Sequence, residues 1–312
     1  MRDLLERQQT WIYFAAVALG TALAVAVPAT EGLARAVTPA LAFMLFVTFL
    51  QVPLARIGAA FAEMRFLAAL LTANFIFIPL LVFALSRLAP TDAMLRLGIL
   101  MVLLTPCIDY VITFAHLGRA DTRLLLASIP VLLVVQMALL PVYLTVFLGS
   151  ESAGLISAGP FLHAFLWLIV MPLLLAGTVQ ALRPRAAAVL GLAPVPATAL
   201  VLFLVVASTI PVLGAAAGAA LSALPLYVGF AILAPMIGWA TARLFRLRAG
   251  GARAVAFSSG TRNSLVVLPL ALSVPGAVPI LPAVIVTQTL VELLAEMVYI
   301  RAIAKLGRGD LQ

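Results

Sequence analysis

A chain of 312 residues that is 65% hydrophobic and 10% charged is not an ordinary soluble domain, where about a quarter of residues carry charge. Its net charge of +8 is scattered as single basic residues between apolar runs, which excludes a nucleic-acid-binding domain, and its one cysteine excludes an internal disulfide. A polytopic membrane protein remains.

About 20 mostly apolar residues are needed for a helix to cross a bilayer. The polar start, MRDLLERQQT, has no small-residue cleavage site and leads into a full-length span, so no removable signal peptide is expected. Thr10–Val27 and Val37–Leu54 are the first two predicted spans, and the third, Phe66–Leu88, contains Pro79. The fourth, Leu95–Leu117, is interrupted by Thr105-Pro106-Cys107-Ile108-Asp109, where Pro106 removes a backbone donor and clashes with the preceding turn. Arg123–Leu148, Pro160–Leu182, Val195–Ala215 and Pro225–Phe245 follow as spans five to eight. The ninth, Gly251–Val274, carries the small or polar run Ser258-Ser259-Gly260-Thr261-Arg262-Asn263-Ser264, tolerable in a membrane only against protein or a cavity. Pro279–Ile303 is the tenth. The runs are too long, and alternate too little, for a transmembrane barrel.

With the N-terminus on side one, fifteen basic residues fall on that side and only Arg35, Arg87 and Arg96 on the other; Arg262 lies within a span. The positive-inside rule then puts both termini in the cytoplasm, and the protein in the cell (inner) membrane as a multi-pass chain. The chain divides into 1–156 and 157–312, five spans each. An offset of 156 residues brings Pro79 onto Pro235, Thr105 onto Thr261, Cys107 onto Asn263 and Gln136 onto Glu292. Five is odd, so the halves cross in opposite senses. Inverted repeats with equivalent broken helices mark secondary transporters, whose sites lie at those breaks.

Asp109, Arg262, Glu292 and Glu296 are ionisable residues deep within spans and must face a cavity or a partner. Arg262 reads either as an ion pair with Asp109 or Glu292, or as a direct contact for substrate. Glu292 and Glu296 are four apart on one helix face. Glu296 lies nearer the cytoplasmic end, where it is expected to reach water; the deeper Glu292 is the better proton carrier. Gln136, Ser258 and Gln288 are secondary candidates. Cys107 is either a small core residue or, beside Pro106, a soft ligand. His116 and His163 read as interfacial. No metal-ligand spacing, phosphate loop or nucleophile–base set is present, so no cofactor, resident metal or enzymatic activity is expected.

The segment Cys107-Ile108-Asp109-Tyr110-Val111-Ile112-Thr113-Phe114-Ala115-His116-Leu117-Gly118-Arg119-Ala120-Asp121 resembles the fourth-helix signature of the arsenical-resistance permeases, a branch of the bile acid/sodium symporter superfamily. Val111, Phe114, Leu117, Arg119 and Asp121 fill that signature's places after the Cys-Ile pair. Gly260-Thr261-Arg262-Asn263-Ser264, Val291-Glu292 and Asn74 before Pro79 are similar to that branch too. The resemblance implies an all-α fold in which spans 1, 2, 6 and 7 form a panel and spans 3–5 and 8–10 a core with crossed, discontinuous helices 4 and 9. It implies expulsion of arsenite or antimonite, with Cys107 binding the trivalent centre and Glu292 carrying a returning proton. Thr105, Asp109, Thr261, Arg262 and Asn263 would complete the substrate site. Thr105-Pro106 stands where the branch has Ala-Arg, and Asp109 is an added charge. In the sodium-coupled symporters a Glu and a Gln-Asn pair of the ninth helix, and a Ser-Asn pair of the fourth, hold sodium; here Ser258, Arg262-Asn263 and Val111-Ile112 occupy those places. Sodium coupling is therefore expected to be weakened or lost, with Arg262 as a tethered cation in its stead. The alternative cargo is a small organic anion bound by Arg262. The partners expected are the lipid bilayer, the cargo and protons, with no nucleic acid; a homodimer is compatible with this reading.

Overall fold

The computed structural model of the chain describes residues 2–50, 63–89, 91–108, 110–149, 163, 166–272 and 274–307. These residues are helical almost throughout, with one isolated β-bridge. Helix α1 (Arg2–Ala26) begins eight residues before the expected span, because Leu, Glu, Arg and Gln are good helix formers and nothing in its polar start breaks a helix. Next come α2 (Ala34–Phe49), α3 (Met64–Ser86), α4 (Ala93–Leu103), α5 (Val111–Leu117) and α6 (Thr122–Leu148). The second half contains α7 (Met171–Leu182), α8 (Pro184–Leu190), α9 (Pro194–Leu244), α10 (Ala249–Gly260), α11 (Ser264–Leu272) and α12 (Ile280–Ala302).

By length and composition, Met64–Ser86, Thr122–Leu148, Pro194–Pro211, Ala216–Leu244 and Ile280–Lys305 can cross a membrane; Trp11–Ala26, Ala34–Phe49, Ala93–Leu103 and Met171–Leu182 are apolar but shorter. The fourth and ninth expected spans are divided, as α4 with α5 and α10 with α11. The seventh and eighth differ from expectation. They run together in the 51-residue α9, because the Gly214–Ala220 linker is mostly alanine, the strongest helix former.

Polarity is inverted relative to a soluble fold. Helix α12 exposes Leu290, Leu294 and Val298 and buries Gln288, Thr289, Glu292 and Glu296. Helix α6 exposes Val134, Val142 and Val146 and buries Ser128 and Gln136. An apolar stripe facing outward is stable in lipid, and it leaves the polar groups to find partners inside.

Two compact units share the chain. The first comprises Met1–Val52, Gly154–Ala220 and Leu265–Val286. Within it α2 packs on α7, and Gln180 Nε2 donates to the carbonyls of Phe49 and Leu50 that close α2. The second comprises Pro53–Ala153, Leu221–Ser264 and Thr287–Gln312. Within it α10 packs against α3, α5 and α6.

Prolines shape the second unit in a matched way. Pro79 cannot donate to Phe75 O, and the turn before it widens into a π-helix over Ala73–Phe77. The stranded Phe75 carbonyl accepts instead from Tyr143 Oη at 2.6 Å. In α9, Pro235 likewise leaves Ala231 O without its helical donor, and Tyr299 Oη donates to it. Each of these residues is 156 positions from its counterpart.

Candidate functional site

Helix α4 stops at Leu103 because Pro106 has no N–H to continue it, and the residue before a proline is driven to extended backbone. Helix α10 stops at Gly260, and Thr261 is extended at φ −104, ψ 128. Both interruptions strand backbone groups that must be satisfied without water. They satisfy each other. Pro106 and Arg262 form an antiparallel bridge, Cys107 N–H donates to Thr261 O at 3.0 Å, and Asn263 N–H donates to Thr105 O at 2.8 Å. The hydroxyl of Thr105 turns back to Met101 O, and that of Thr261 to Phe257 O at 2.7 Å. The crossing is reciprocal at the spacing of 156: positions 101, 105 and 107 on one segment do what 257, 261 and 263 do on the other.

Arg262 is completely buried. Its Nη2 donates to Asn74 Oδ1 at 2.9 Å, Ser258 O at 2.6 Å and Ser259 O at 2.8 Å, and Nη1 donates to Leu103 O at 3.4 Å. The guanidinium carbon stands 5.4 Å from the centre of the Phe230 ring. Asn74 is held by donating to Leu70 O and Ser258 Oγ, both at 3.1 Å. It lies in the π-helical turn that Pro79 creates. Asn74 and Phe230, which bracket the cation, are themselves 156 positions apart.

The expected ion pair takes another form. Among the described residues the guanidinium meets only neutral oxygens. Glu292 instead takes the backbone: its Oε2 accepts from Arg262 N–H at 2.6 Å and from Gln288 Nε2 at 2.6 Å, while its Oε1 accepts from Tyr110 Oη at 2.5 Å. Carbonyl oxygens at the end of α10 carry the partial negative charge that a carboxylate was expected to supply. Asp109, the other partner considered, lies outside the described residues.

Glu296 does not reach water; it is completely buried, one helical turn beyond Glu292. The Thr261 hydroxyl lies 2.5 Å from its Oε1 and also 2.7 Å from Phe257 O. A hydroxyl has one proton, and a carbonyl only accepts. The single hydroxyl proton of Thr261 therefore serves one of these two acceptors or is shared between them. The other oxygen of Glu296, Oε2, has no hydrogen-bond partner among the described residues.

The structure thus gathers Thr105, Cys107, Ser258, Thr261, Arg262, Asn263, Gln288, Glu292 and Glu296 around one crossing. Cys107 is completely buried, its amide fixed in the bridge. Gln136 is buried in α6, with neither side-chain polar atom hydrogen-bonded among the described residues. Sequence reasoning left out the roles of Tyr110, Phe230 and Ser259 and underused Asn74. A tyrosine beside a helix break and an amide just before a mid-span proline were the available signals.

Compared with known families, residues 38–221 match the Sodium Bile acid symporter family. No curated protein matches the chain.

Proposed function

The chain belongs to the Sodium Bile acid symporter family and is a membrane transporter, and we propose that it is a proton-coupled exporter of arsenite or antimonite. The observation that carries this reading is the guanidinium of Arg262 inside a ring of oxygens from Asn74, Ser258, Ser259 and Leu103. A ring of that kind suits a hard cation, and here a covalently attached one fills it. A fixed cation cannot follow an ion gradient, so coupling passes to the carboxylates, Glu292 first and Glu296 beside it. At most three of the five guanidinium N–H donors are spent on protein oxygens, and Nε has no hydrogen-bond partner among the described residues. The only thiol, Cys107, sits in the crossing and offers a soft ligand to a trivalent centre. One thiolate holds such a centre weakly enough to release it.

The reciprocal bonds at the crossing and the paired Pro–Tyr contacts support reading the chain as ten spans in two inverted halves, 1–156 and 157–312, with spans 1, 2, 6 and 7 as panel and the rest as core. The arginine asymmetry supports cytoplasmic termini in the cell membrane.

The test is transport by purified protein in liposomes, using arsenite, antimonite and small carboxylates under imposed proton or sodium gradients. Metalloid movement driven by protons, and lost in Cys107→Ser, is the expected result. Carboxylate movement that survives Cys107→Ser, with no metalloid movement, would replace this reading with an organic-anion carrier.

A further inference from the structure

Away from the crossing, the second unit contains a cavity of about 1130 Å³ lined by Arg65, Arg243, Arg246, Arg248 and Arg253, against two carboxylates, Glu63 and Asp121. It lies where α3, α6 and α10 begin and α9 ends. Two of the five arginines have structural work. Arg253 is buried and donates to Leu306 O and Arg119 O, and Arg243 donates to Leu247 O. Arg65, Arg246 and Arg248 are exposed and have no side-chain hydrogen bond or ion pair among the described residues. Of the two acids, Asp121 is occupied in capping α6, where its Oδ1 accepts from Arg123 N–H and Leu124 N–H.

Two backbone features show that the arginines hold places where other residues are better suited. Arg248 is the N-cap of α10 and makes no side-chain cap, whereas Asp92, 156 positions earlier, caps the corresponding start of α4 by accepting from Leu95 N–H. A cation at an N-cap cannot accept from the first amides, and its charge opposes the helix dipole. Arg246 has φ 57, the left-handed conformation at which a helix C-terminus normally carries glycine. An anion in the cavity would offset both costs: it would accept from the open end of α10 and neutralise the unpaired guanidinium groups.

We propose that this cavity binds a phosphate-bearing anion, through Arg65, Arg246, Arg248 and the N-terminal amides of α10. Phosphate suits the arginine fork, and the volume exceeds one phosphate group, which fits a larger headgroup or a polyphosphate. An anionic lipid headgroup and a soluble phosphate share this chemistry, and basic recesses at the ends of membrane helices hold headgroups in this way. No lining residue belongs to the crossing, so the inference is independent of the cargo.

The experiment follows thermal unfolding of the full-length protein in phosphatidylcholine nanodiscs. One arm adds phosphatidylglycerol to the nanodiscs; another adds inorganic pyrophosphate to the solution. The pocket variant is Arg246→Gly with Arg248→Gln, and the control, Arg183→Gln with Arg185→Gln, removes equal charge elsewhere in the chain. Glycine at 246 relieves the backbone, so the pocket variant should unfold no earlier than wild type without ligand. Wild type and control should be stabilised by at least one of the two additions, and the pocket variant should need about tenfold more of it. Stabilisation by the lipid alone, or by pyrophosphate too, identifies the source. The proposal fails if neither addition stabilises wild type, or if the control loses the response as fully as the pocket variant.

Discussion

Glu292 binds the backbone amide of Arg262, not its guanidinium, at 2.6 Å. The acid and the base at the crossing are therefore satisfied separately. Protonating Glu292 would not break an ion pair. It would weaken three hydrogen bonds, from Arg262 N–H, Gln288 and Tyr110, that tie α12 and the start of α5 to the interrupted backbone. One proton would then loosen the crossing while the guanidinium stayed in its ring.

Replacing Arg262 should separate charge from geometry. Arg262→Gln leaves acceptors of Asn74, Ser258, Ser259 and Leu103 short of donors in a buried site, at a cost of about 2–4 kcal/mol. Arg262→Lys keeps the charge but not the planar fork, and should cost about 1–3 kcal/mol. Thermal unfolding in detergent checks the order, with wild type above Lys and Lys above Gln. The cycle with Asp109→Asn reads any coupling to that residue: additive losses mean that the two are not partners.

With Arg262 in place, transport should proceed equally in sodium and choline media at fixed pH. A strong sodium requirement would mean that the guanidinium does not stand in for the ion.

The Pro–Tyr pairs predict a conditional effect. Tyr143→Phe should cost about 1 kcal/mol, since Phe75 O loses its donor. In a Pro79→Ala background the backbone N–H of residue 79 returns to that carbonyl, and the same Tyr143→Phe change should cost little. Equal losses in both backgrounds, read by unfolding, would show that Tyr143 serves something other than the stranded carbonyl.

Much of this arrangement was legible in the sequence, and the exceptions have physical causes. Pro106 and the polar run Ser258–Ser264 announced the two breaks, because neither can continue a helix in lipid. The two breaks meet at the spacing of 156, with reciprocal bonds at Thr105 and Thr261. The break expected between the seventh and eighth spans is helical instead, because its Ala-rich linker favours helix. Of the readings open for Arg262, an ion pair with Glu292 gives way to bonds with neutral oxygens, because charge can be counted along a chain whereas converging carbonyls cannot; Asp109 lies outside the described residues. Glu296 was placed near water by its distance from the span end, but burial depends on what packs over it.

Helix spacing around the crossing should be intolerant of a single methyl group. A Cβ on Gly238 of α9 would lie 2.5 Å from Ser259 Oγ and 2.9 Å from Val255 O of α10. Gly238→Ala should cost about 1–3 kcal/mol and displace the residues that cage Arg262. Gly229→Ala, on the same helix, meets only Leu85 Cδ2 at 3.8 Å and should be neutral or slightly stabilising. Equal behaviour of the two variants in unfolding assays would rule out close α9–α10 contact as the cause.

Proton coupling at Glu292 is decided by one comparison: transport driven by a pH gradient in liposomes containing wild type or Glu292→Gln. The amide preserves size, and its oxygen can still accept from Arg262 N–H, so the variant should fold and bind cargo. It cannot take up or release a proton. The expected result is cargo movement down its own gradient in both proteins, with pH-driven accumulation in wild type only. Full pH-driven accumulation by Glu292→Gln would contradict the assignment.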